Sequence, residues 1–110
     1  MNDALSVQGI VDLASAYYGS AVLFAALEVD LFTFLQREGG AADAEAFARR
    51  AGLDPRGARL LLDACAALGL LDKDGGTYSN TAAGAMTLVA GAPHDLTGAV
   101  RYNRDVYPAW

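Results

Sequence analysis

"LDPRGARLLLDACAALGLLDKDGGTYSN", Leu53–Asn80, is the stretch on which the fold turns. Asp54-Pro55 opens a helix: the aspartate caps free backbone N–H groups, and proline at the first helical position gives up an N–H that has no partner there. Leu60, Leu61, Ala64, Ala67 and Leu68 recur at helical spacing and predict its buried face, and Gly69 ends it. Leu70-Leu71-Asp72 and Thr77-Tyr78-Ser79 then flank Asp74-Gly75-Gly76, turn chemistry that predicts a β-hairpin.

Upstream, Asp43 caps a short helix through Arg50, with Gly52 as its stop. Two helices joined by "AGLD" form a helix-turn-helix, and a helix-turn-helix followed by a hairpin is a winged helix. Downstream, Asn80 or Thr81 caps a helix through about Val89, "AGAPHD" is a loop, and Leu96–Trp110 begins another helical pattern. The expected fold is mainly α: a winged helix-turn-helix with a long N-terminal helix and one small β-hairpin.

The segment Leu5–Leu35 reads as helix with a break near Asp30, and Gly39 and Gly40 end it. Ile10, Leu13, Tyr17, Phe24, Leu27 and Leu31 follow one apolar spacing. Val7, Val11, Tyr18, Val22 and Val29 fill the opposite face. A helix apolar all round needs cover on every side. The rest of a 110-residue domain covers one face; the other predicts a partner subunit or a second domain. The uncharged run Leu13–Leu27 is 15 residues long, short of the roughly 18 that suggest a membrane span. Asp3 and Asp12, without a basic leading segment, argue against a secretory signal.

The net charge of −5 disfavours nonspecific attraction to nucleic acid or anionic lipid. On the second helix of the helix-turn-helix only Arg56 and Arg59 offer positive charge, offset by Asp63, and Asp72 and Asp74 stand at the wing. DNA recognition needs phosphate neutralisation, so no nucleic-acid partner and no membrane is expected. The single Cys65 excludes an intramolecular disulfide and agrees with a reducing cytoplasm. Its alanine and leucine neighbours predict a buried, inert thiol. His94-Asp95 reads as a loop or capping pair, since adjacent residues rarely share the hydrogen bond general-base chemistry needs. One His and one Cys leave little for a metal site. The glycine pairs are helix ends and a hairpin turn, with no G-x-G-x-x-G after a strand. No catalytic, cofactor-binding or metal residue is assigned.

"ALEVDLFTFL", the run from Leu53 to Val89 and "GAPHDLTGAVRYNRDVYPAW" together resemble the N-terminal domain of S-adenosylmethionine (SAM)-dependent small-molecule O-methyltransferases, from about Val11 to Trp110. The resemblance implies a winged helix without DNA-binding duty that forms a homodimer through intertwined N-terminal helices. It implies a dimerisation domain over residues 1–94 and the start of a linker helix over 95–110, towards a catalytic domain; the ending on Trp110 reads as a cut. Ala16, Tyr17, Tyr18 and Phe24 become candidates for the dimer seam or the substrate-pocket wall. Tyr107 and Trp110 become candidates for packing against the following domain. The parent enzyme would be a cytoplasmic, SAM-dependent O-methyltransferase of secondary metabolism. It would transfer methyl to an aromatic or polyketide-like hydroxyl deprotonated by a histidine of the other domain. This chain alone would not be catalytic. Two other readings stand beside it: a free-standing, non-catalytic interaction or small-ligand-binding protein derived from that domain, and a winged-helix transcription regulator.

Overall fold

A computed structural model of the chain describes residues 6–106. Ser6 opens the first element, α1 (Val7–Glu28), by accepting a hydrogen bond from the Gly9 N–H at 3.0 Å. Asp30 then adopts a left-handed conformation, φ 53°, which breaks the helix and starts α2 (Leu31–Arg37) in a new direction. The expected break falls where the sequence placed it.

After Gly39 and Gly40 come β1 (Ala41–Asp43) and α3 (Ala44–Ala51). Asp43 closes the strand and caps the helix, accepting from the Ala46 N–H at 2.8 Å. Gly52, at φ 69°, ends α3 in the left-handed region that favours glycine. Asp54 accepts from the Arg56 and Gly57 N–H groups and Pro55 takes the first turn of α4 (Pro55–Ala67). The wing follows as β2 (Leu71–Asp74) and β3 (Thr77–Asn80) around Gly75-Gly76. Thr81 caps α5 (Ala82–Thr87), shorter than the helix to Val89 that the sequence suggested. Asp95 accepts from both the N–H and the hydroxyl of Thr97, which starts α6 (Thr97–Val106). The mainly α winged helix is thus the observed fold.

The strand β1 was not legible in the sequence. "AAD" has no β-branched or aromatic residue, and the strand exists because Ala41 and Asp43 pair antiparallel with Ser79 and Thr77. The sheet therefore has three strands, in the order β1-β3-β2. Tyr78, on the central strand, points into a core made by Leu31, Phe32 and Leu35 of α2, Phe47 of α3 and Leu71 of β2. Phe34 and Phe47 pack ring against ring, 5.4 Å between centroids. Asn80 donates to the Phe32 carbonyl at 2.9 Å, tying the wing to α2.

The buried face of α4 corrects the expectation. Ala58, Leu62 and Cys65 are fully covered, whereas Leu60 is 62% exposed and Leu68 42% exposed; Leu61 and Ala64 are half-buried and Ala67 is exposed. The helix carries two apolar faces, and spacing cannot say which one the core takes. The core takes the face with the smaller residues Ala58 and Cys65, where α4 closes on its neighbours. Cys65 lies there as expected, its thiol pushed up to about 11 by burial.

Candidate dimerisation surface

The first helix decides what this domain is for. At 1.5 Å per residue, 22 residues make α1 about 33 Å long, and the whole described body is only 28 by 26 Å across its shorter axes. Its C-terminal part is held: Val22, Ala26 and Leu27 are buried in the core. Its N-terminal half is not. Val7, Ile10, Val11, Leu13, Tyr17 and Tyr18 are all more than half exposed, Tyr17 at 63% and Tyr18 at 55%.

The expected division of α1 into one covered and one uncovered face gives way to a division along its length. With about 100° per residue, Leu13, Tyr17, Ile10, Val7, Tyr18 and Val11 fall on one continuous arc, joined by Ala14, Ala21 and Ala25. No charged residue interrupts that arc between Val7 and Ala25. Gln8 and Asp12 sit on the other side, hydrogen-bonded to each other at 2.8 Å. The polarity is inverted: the side in line with the domain's own core is polar here, and the side facing solvent is apolar. The mean hydropathy of α1 reaches 1.6 over its most apolar 18 residues, so by length and composition it meets the test for a membrane span. The burial of Val22, Ala26 and Leu27 makes its C-terminal part an integral piece of the core instead.

The four candidates read from the sequence separate by position. Tyr17 and Tyr18 lie on the exposed arc. Ala16 is exposed on the flank nearer the core side, and Phe24 is half-buried where α1 joins the body. None of the four lines any of three described clefts. One, of about 490 Å³, lies against the wing beside Asp43, Arg59, Lys73 and Tyr78; another, of about 330 Å³, lies over Phe34 and Phe47 beside Arg37 and Arg50. The third runs along α4 at Arg56, Leu60 and Asp63. Tyr107 and Trp110 lie outside the described residues.

The strongest polar cluster is structural. Asp63 on α4 accepts from the Tyr78 hydroxyl at 2.6 Å and from Lys73 Nζ at 2.8 Å, and Lys73 stands over the Tyr78 ring. The two hydrogen bonds, Lys73 first, hold the Asp63 carboxyl below its ordinary range. The same contact raises Lys73, while burial and then Asp63 raise the Tyr78 hydroxyl. The cluster fastens the wing to α4. It also engages Lys73, the wing's only cation, and leaves Arg56 and Arg59 as the exposed positive charge of α4. His94 is exposed, and both oxygens of Asp95 are taken by Gly91 and Thr97. That pair is a turn and helix start, not a dyad.

A winged helix with an acidic wing thus carries a projecting helix whose exposed arc is apolar and free of charge. This chain belongs to the O-methyltransferase dimerisation domain family, whose model matches residues 11–90. It is 42% identical to 3-hydroxy-5-methyl-1-naphthoate 3-O-methyltransferase of Streptomyces sahachiroi over 102 residues, 92% of this chain and 29% of that one. It is 44% identical to acetylserotonin O-methyltransferase of Mus musculus over 92 residues, 78% of this chain and 23% of that one. The solved structure described as PigF with SAH matches 97% of this chain and 35% of its own with a TM-score of 0.85 at 31% identity. The chain therefore spans about a third or less of the length of these relatives.

Proposed function

We propose that this chain is the homodimerisation and substrate-cleft module of a SAM-dependent O-methyltransferase of secondary metabolism. The observation that carries it is the uncharged arc of α1, exposed along Val7–Tyr18 and lying largely inside the family match. Burying apolar area is the dominant gain in association, and a second copy offers the same arc.

Residues 1–94 form the dimerisation unit in this reading and residues 95–110 the start of a linker helix. Ala16, Tyr17, Tyr18 and Phe24 form the dimer seam or the wall of the substrate pocket in this reading, Phe24 where α1 enters the core. Tyr107 and Trp110 pack against a catalytic domain. The relatives' names support an aromatic or polyketide-like hydroxyl as methyl acceptor. A cytoplasmic location fits enzymes of this kind.

The described residues do not fit a SAM site. Their glycines at positive φ end helices or turn the wing, and the strands are short and antiparallel, without the strand-loop-helix that would cradle the cofactor. Cofactor and catalysis are assigned to the part of the relatives that this chain does not span, so the chain alone is not catalytic. A transcription regulator is disfavoured by the engaged Lys73 and the acidic wing.

Sedimentation equilibrium of the chain at micromolar concentration tests the reading. A dimer that Tyr17→Asp converts to folded monomer is expected; a wild-type monomer overturns it. The intact mass of the native protein from its host tests the rest. A mass several times 11.4 kDa is expected, and a mass near that value assigns the module to a free-standing binding protein.

A further inference from the structure

The cleft of about 330 Å³ between α2, α3 and the loop after α5 has a volume at the lower end of the small-molecule range. Phe34 and Phe47, 8% and 1% exposed with ring centroids 5.4 Å apart, form its floor, and Ala51 and Ala90 add apolar walls. Arg37, the last residue of α2, and Arg50, in the last turn of α3, both line it. Neither makes an ion pair or a side-chain hydrogen bond among the described residues.

A basic residue at a helix C-terminus often serves the free carbonyls there. Here the backbone meets part of that need. The Glu38 and Gly40 N–H groups donate to the Phe34 and Leu35 carbonyls, and the Gly52 and Leu53 N–H groups to that of Ala48. Both guanidinium groups are left to meet a ligand. The Thr33 hydroxyl joins them: its oxygen accepts from the Ala90 N–H at 3.1 Å, which leaves its own proton to be donated.

Charge sets the valence of that ligand. Asp30 also lines the cleft but is offset by Arg101 at 3.6 Å, and Glu38 balances one of the two arginines in charge. One positive charge is in excess, on a chain whose net charge is −5. The cleft against the wing differs. There Arg59 and Lys73 face Asp43 and Glu45, and Lys73 is already held by Asp63.

We infer that the cleft over Phe34 and Phe47 binds a small aromatic monoanion, a carboxylate of one or two rings. The ring packs on the two phenylalanines, and the carboxylate meets Arg37 and Arg50, whose planar forks match carboxylate geometry. None of these residues belongs to the exposed arc of α1, so binding is expected of monomer and dimer alike.

Amide NMR titration of the chain with naphthoate, and with uncharged naphthamide of the same shape, tests the site. Saturable shifts are expected at the amides of Thr33, Phe34, Phe47, Ala51 and Ala90, with naphthamide binding at least tenfold more weakly. Arg37→Gln and Arg50→Gln change exposed positions. Each is expected to raise the Kd at least fivefold while the rest of the spectrum stays unchanged, and the double variant to abolish the shifts. No saturable shift at these amides in millimolar naphthoate overturns the assignment. Shifts confined to Val7–Tyr18 also overturn it, since they mark adsorption to the apolar arc of α1. Equal affinity for naphthamide, or an unchanged Kd in the double variant, overturns carboxylate recognition and with it the ligand class.

Discussion

Asp30 is the one described non-glycine residue at positive φ, and it sits where α1 hands over to α2. Left-handed backbone costs an ordinary L-residue about 1–2 kcal/mol, and aspartate less because its short side chain bonds locally. A β-branched residue suffers most there. Asp30→Val is therefore expected to lose about 1–2 kcal/mol of unfolding free energy in urea, while Asp30→Gly stays within about 0.5 kcal/mol of wild type. The exposed pair of Asp30 with Arg101, at 3.6 Å, adds little to either number. Asp63 gives a pH dependence. Its folded carboxyl lies below the ordinary 3.8, so the stability it supplies is present above that value and is lost as pH falls below it. Thermal melts of wild type and Asp63→Asn should differ near neutral pH and converge in acid. A constant difference down to pH values well below 3.8 would remove Asp63 as the fastening of the wing.

The helix α4 shows how an element can be right and its orientation wrong. Its start, its end and its length follow from Asp54-Pro55 and Gly69, because caps and glycine stops act within one turn of chain. Its buried face does not follow, because Leu60-Ala64-Leu68 and Ala58-Leu62-Cys65 are both regular helical sets. The two faces differ in energy. Leu62→Ala opens a cavity in a packed core and is expected to cost about 2–5 kcal/mol. Leu60→Ala, in dilute protein where the chain is monomeric, should stay within about 0.5 kcal/mol. Urea denaturation of the pair decides which face is core; equal losses would contradict the packing. The strand β1 is the converse case: an element with no local signal, formed because β3 presents an edge to Ala41–Asp43.

At the scale of the molecule, the C-terminal part of α1 is anchored in the core while its N-terminal half leaves Val7, Ile10, Val11, Leu13, Tyr17 and Tyr18 exposed, and contiguous apolar surface of this kind marks an interaction site. A chain stabilised by association unfolds at a temperature that rises with its concentration. Over a hundredfold range, roughly, the wild type should show that rise and Tyr17→Asp should not; a melting temperature independent of concentration in the wild type would count against the seam. The site was partly legible beforehand. The uncharged run around Tyr17 and Tyr18 announced a surface needing cover. That its outer half stands clear of the fold required the packing.

The sequence by itself determined the features that short-range chemistry controls. Asp43, Asp54-Pro55 and Thr81 satisfy free N–H groups a few residues away, Gly75-Gly76 turns the wing, and the lack of charge from Leu13 to Leu27 demands an apolar environment wherever that helix goes. Only the tertiary structure decided which environment each apolar face receives. The core selects Ala58, Leu62 and Cys65 over Leu60 and Leu68, buries Val22 but not Tyr18, and recruits "AAD" as a strand. Hydrophobic burial has no direction of its own, so a helix apolar on two sides leaves that choice to whichever neighbour arrives.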